Sequence, residues 1–131
     1  MADLVTTITE AVTLNGAVRG TTNTVTTTGI VDVFERILTC AHSNTTTIAT
    51  FASTPHTSAG ALDVENTAYV RITNLSSTDA VNVAIVGTAT NYQVKLRPLS
   101  SHILYNGEEV MVAEADTSPS FGTMADLGSI Q

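Results

Sequence analysis

Three stretches decide the fold: Tyr69-Val70-Arg71-Ile72-Thr73, Val81-Asn82-Val83-Ala84-Ile85 and Tyr92-Gln93-Val94-Lys95-Leu96. Successive side chains of a strand point to opposite faces, so alternation of this kind reads as half-buried strand. In the third stretch Val94 and Leu96 take one face, and Gln93, Lys95 and Arg97 the other. Between the first two, Asn74-Leu75-Ser76-Ser77-Thr78-Asp79 supplies side chains that bond to their own backbone and so make turns. Pro98 closes the third, because proline has no N–H to give to a central ladder.

The same punctuation continues toward both ends. His102 to Tyr105 and Val110 to Ala113 flank Asn106-Gly107, a hairpin signal. Thr46 to Phe51 reads as a strand, and Ala52 to Asn66 as the longest loop. Ile30 to Cys40 fits both periods: Ile30, Val31, Phe34, Ile37 and Leu38 have helical spacing, and Val31, Val33 and Ile37 strand spacing. The run lacks a C-terminal glycine cap, so the expectation is a strand. Leu4, Ile8, Val12 and Leu14 share one parity and lead into Asn15-Gly16, the strongest short hairpin signal. Thr21 to Thr28 suits an edge strand.

Composition agrees. Threonine supplies 24 of 131 residues, and a β-branched residue so abundant favours strands. Eight or nine short strands at even spacing imply an all-β fold, a single β-sandwich or jelly-roll-like domain over residues 1–115. Residues 116–131 differ, with Pro119, Gly122 and Gly128 among isolated Phe121, Met124, Leu127 and Ile130. They read as an extended C-terminal arm, held by the chain's own core or by a neighbouring subunit. Deleting them is expected to leave the β domain folded.

A net charge of −7, from 5 basic and 12 acidic residues, argues against nucleic acid and against anionic membranes as partners. No run approaches the roughly 18 apolar residues of a membrane-spanning helix. Met1-Ala2-Asp3-Leu4 lacks the basic start and apolar run of a signal peptide, so use without secretion machinery is expected. The single cysteine, Cys40, excludes an internal disulfide framework.

The residue types that carry chemistry are present but not arranged for it. Cys40 and His42 are two potential ligands without a second pair, and a zinc site needs more. His56, or His102 after Ser100-Ser101, suggests a triad with Asp63, but no G-x-S-x-G elbow accompanies them. Asp63/Glu65 and Glu108/Glu109 fit solvated turns better than a carboxylate pair or a calcium loop. Asn15 to Gly20 lacks the lysine of a phosphate loop. The sequons at Asn44 and Asn74 read as chance matches in a Thr-rich chain. The expectation is a protein that is not an enzyme, with no catalytic residue, cofactor, metal or small-molecule substrate.

Tyr69-Val70-Arg71-Ile72-Thr73-Asn74-Leu75, the strand Val81 to Ile85, Val94-Lys95-Leu96-Arg97-Pro98 and His102-Ile103-Leu104 together resemble small virion proteins of tailed bacteriophages. The likeness covers residues 30–105, the Thr-edged strand–turn–strand from Val31 to Phe51 included. It departs at Leu99-Ser100-Ser101, where such sequences commonly place a glycine after the proline. The resemblance implies a capsid decoration (cement) protein on the capsid exterior, partnered by the major capsid protein and by copies of itself, a trimer included. A tail or head–tail joining protein is the alternative, and an adhesion or carbohydrate-binding β-sandwich the second. On this reading Phe121, Met124, Leu127 and Ile130 are assembly contacts, and edge strands such as Thr21 to Thr28 pair across subunits.

Overall fold

A computed structural model describes residues 1–52, 60–87, 91–105, 112–114 and 124–131. The protein is all-β, with twelve strands and no helix among the described residues. The chain divides into two compact units, Met1–Arg36 and Ile37–Gln131. The division follows hydrogen bonding, because every strand of the first unit pairs within it.

The first unit is one long hairpin. Strand β1 (Ala2–Thr9) pairs antiparallel with β4 (Thr22–Ile30), and β2 (Val12–Leu14) with β3 (Ala17–Arg19). The two ladders share one register: Thr9 faces Thr22 below the break, and Val12 faces Arg19 above it. The amide of Glu10 donates to Thr21 O across the break at 2.9 Å. At the tip Asn15 and Gly16 have φ of 51° and 78°, the two positive values a type I′ turn requires. At the break, Gly20 has φ of 153°, and a Cβ there would stand 2.0 Å from Glu10 O. Only glycine fits so close a crossing of backbones.

The second unit holds a six-stranded sheet with the order β6-β5-β12-β8-β9, β11 pairing with β12. Its strands are β5 (Ala49–Ala52), β6 (Ala61–Asp63), β8 (Val81–Gly87), β9 (Asn91–Leu96), β11 (Val112–Glu114) and β12 (Met124–Ile130). Strands β5 and β6 run parallel, and the other pairs antiparallel. A two-stranded sheet joins β7 (Tyr69–Thr73) to β10 (Ser101–Tyr105). The core comprises Phe51, Val64, Val83, Ile85, Leu96 and Ile130, with Val70, Ile72 and Leu104 packed against it from the smaller sheet. Alternation places these residues: Val83 and Ile85 are buried on β8 while Asn82 is exposed, and Leu96 is buried while Lys95 is exposed.

Asn74 is the one buried polar residue among those described. Its side-chain amide donates to the carbonyls of Asp79, Leu96 and Arg97, and its Oδ1 accepts from the amide of Ser76. A buried amide is tolerated because every polar atom is met. The turn after β9 accounts for the residue that follows Pro98. The amide of Ser100 donates to Arg97 O at 3.1 Å, and Leu99 has φ of 58°. Proline second and a positive φ third make a type II turn, which prefers glycine where this chain has Leu99.

Two expectations need correction. Ile30 ends β4, but residues 31–48 form no strand. The apolar spacing there signals no ladder, because Val31, Val33 and Ile37 remain exposed and no described strand pairs with the segment. The strand–turn–strand expected over Val31 to Phe51 thus reduces to β5. The arm over 116–131 is also altered. Residues 115–123 lie outside the described residues, but Met124–Ile130 is a central strand of the larger sheet. Ile130 is fully buried in the chain's own core, and Ile48 and Gln131 donate backbone bonds beside it, to Ile130 O and Ala84 O. The Asn106-Gly107 turn lies outside the described residues. The strands on either side of it pair elsewhere, β10 with β7 and β11 with β12.

Candidate functional site

The surface that asks for a function lies on the first unit. No residue of Met1–Arg36 is buried. Of the 15 large apolar side chains exposed among the described residues, 9 fall within Met1–Arg36, so the apolar surface is concentrated there. Leu4, Thr6 and Ile8 share one face of the hairpin with Thr27, Val25 and Asn23 opposite them. Leu4 and Val25 are only half-buried, and Ile8 is exposed. The other face carries threonines in register. Thr7 and Thr24 bond through their hydroxyls at 3.1 Å, and Thr9 and Thr22 at 3.3 Å. Such cross-strand pairs hold register but bury little apolar area.

The edges of this ribbon are as informative as its faces. Among the described residues β4 pairs with no strand but β1, so one row of its backbone groups has no strand beside it. Edge strands are usually guarded by charge, by proline or by shortness. Strand β4 has nine residues, Thr-Asn-Thr-Val-Thr-Thr-Thr-Gly-Ile, without a charge or a proline. Its only irregularity is at the base, where the register shifts between Ala2 and Leu4 and Gly29 takes φ of 77°. A glycine of positive φ absorbs the extra residue of such a bulge.

Cys40 and His42 lie in the segment without regular structure, exposed, and not on one strand. The Cys40 thiol donates to Asn44 O at 3.2 Å, and the Asn44 side chain donates to His42 O. Asp63 closes a local turn, accepting from the Glu65 amide and the Asn66 side chain. Those two bonds, the Asn66 one foremost, hold its carboxyl below the usual range. His102 Nε2 lies 3.1 Å from Tyr92 Oη, with the rings edge-on. Partial burial raises the Tyr92 phenol. His56, Glu108, Glu109 and Phe121 lie outside the described residues, so the triad with Asp63 and the second acidic pair have no described geometry. Among the described residues no three His, Cys, Asp or Glu side chains gather as a metal site would require. No helix among them is long and apolar enough to cross a membrane.

Met124, Leu127 and Ile130 all stand on β12, and Ile130 is buried within its own subunit. The exposure of the hairpin's apolar side chains was not foreseen in the sequence, where Leu4, Ile8, Val12 and Leu14 simply share one parity. Comparison with family models, curated proteins and solved structures finds no match.

Proposed function

We propose that this chain is a structural assembly protein of a phage virion, a decoration protein that binds the capsid exterior and stabilises the head. The observation that carries the assembly reading is the hairpin of Met1–Arg36: a body without a buried residue, with Val5, Val12, Leu14 and Val18 exposed. An isolated two-stranded ribbon is marginal in water, and exposed apolar surface of this kind belongs to interfaces. The virion setting comes from the resemblance of Tyr69 to Leu104, and the acidic balance suits a protein that sits outside the packaged nucleic acid. On this reading the two sheets of Ile37–Gln131 are the layers of a β-sandwich, and the major capsid protein and copies of this chain are the partners. Catalysis and small-molecule substrates have no part in it.

Antibody labelling of purified particles under electron microscopy, with a mass-spectrometric survey of their proteins, tests the proposal. Label over the head surface is the expected result. Absence of the chain from the particles overturns the virion reading, and label confined to the tail replaces decoration with a tail or head–tail joining role.

A further inference from the structure

We infer that the free edge of β4 pairs with β4 of a second copy, antiparallel about a two-fold axis at Val25, to make a four-stranded sheet β1-β4-β4-β1. The inference stands on the hairpin alone and holds whether or not the virion reading does.

Charge is the first argument. Symmetric pairing sets a strand against itself, so any charged residue near the axis would face its own copy, and like charges directly opposite destabilise a sheet. Strand β4 carries no charge over its nine residues, whereas β1 carries Asp3 and β3 carries Arg19. Of the two long strands, the one suited to meeting itself is thus the neutral β4. Sequence symmetry is the second. About Val25, Thr24 mirrors Thr26, Asn23 mirrors Thr27, and Thr22 mirrors Thr28. An antiparallel copy therefore sets Thr24 against Thr26, and Thr22 against Thr28. These are threonine pairs of the kind already formed between β1 and β4. Geometry is the third. A two-fold axis perpendicular to the sheet keeps each face on its own side, so Leu4, Ile8 and Val25 of both copies lie on one shared face, with Thr6, Asn23 and Thr27 between them. Pairing also lifts the ribbon from two strands to four, past the three that independent stability usually needs. The contact is isologous and closed, so it yields a dimer and not a fibre.

The full chain tests this by light scattering after size-exclusion chromatography. The wild type is expected at twice the 13.7 kDa chain mass. Val25→Lys and Val25→Glu are each expected to run as monomers, because either sets a charge against its own copy. An equimolar mixture of the two is expected to regain the doubled mass, since Lys then faces Glu. Val18→Lys, on β3, is expected to leave the dimer intact. Should either Val25 variant lose its strand dichroism, the double variant Thr24→Lys/Thr26→Lys mixed with Thr24→Glu/Thr26→Glu asks the same question on the threonine face, since each alone sets like charges opposite and the mixture sets Lys against Glu. A monomeric wild type at all concentrations overturns the inference, and so does a trimer. A dimer that survives Val25→Lys, or a mixture of folded variants that fails to restore association, overturns it equally.

Discussion

The hairpin of Met1–Arg36 and the body of Ile37–Gln131 are built from the same β-branched vocabulary, and only the second has a core. In the body, the alternating residues of β8 and β9 face Val70, Ile72 and Leu104 of a second sheet, and Ile85 and Ile130 are fully buried. In the hairpin, the alternating Leu4, Ile8 and Val25 have no buried neighbour to pack on. Alternation therefore specifies a strand and its register, but a second layer decides whether the strand is finished. The body has that layer within its own unit, and the hairpin has no buried residue of its own.

The comparison breaks most severely at β12. Removing residues 124–131 takes out the strand between β5 and β8 together with Ile130. The expected outcome is loss of the cooperative thermal transition of the body, read by circular dichroism. This reverses the folded truncation that the sparse C-terminal sequence suggests. Asn74→Ala comes next: it removes a side chain that donates to the carbonyls of Asp79, Leu96 and Arg97 and accepts from the Ser76 amide. A loss of roughly 2–3 kcal/mol is expected in denaturant unfolding of the body. Gly20→Ala tests the hairpin separately. Its methyl would meet Glu10 O, so a cost of about 1–3 kcal/mol falls on the β2–β3 end, seen as lost cross-strand contacts by NMR with the body unchanged.

Two smaller effects sharpen the contrast. Leu99 is exposed and pays the left-handed cost that glycine avoids, so Leu99→Gly is expected to be neutral or to raise stability by up to about 1 kcal/mol. Asp63 has the least effect. Its folded pKa lies below its unfolded value, so its contribution is present above the ordinary carboxylate range and is lost as pH falls through the depressed value. Asp63→Asn is expected to flatten stability slightly across that acidic window, measured as melting temperature against pH.

What the sequence revealed follows the same division. Tyr69–Thr73, Val81–Gly87 and Asn91–Leu96 were legible because one face of each meets the core, which imposes the period of two. Asn15-Gly16 was legible because both residues tolerate the positive φ the turn needs. Ile30 to Cys40 misled because apolar content without a hydrogen-bonding neighbour makes no strand. Strand β12 escaped because β5 and β8, which flank it at Ser129 and Ile130, lie more than 35 residues away in the chain. Of the candidate surface, the neutral threonine edge of β4 was visible, but its exposure depends on which strand fails to find a second neighbour.

Hydrogen exchange of the backbone amides across a range of protein concentrations tests the central contrast most directly. Amides of β8, β9 and β12 are expected to exchange slowly at every concentration, while those of β1 and β4 exchange fast in dilute solution and slow as concentration rises. Protection of β1 and β4 that equals the body's and ignores concentration would contradict the account, because it would show that the hairpin is complete on its own.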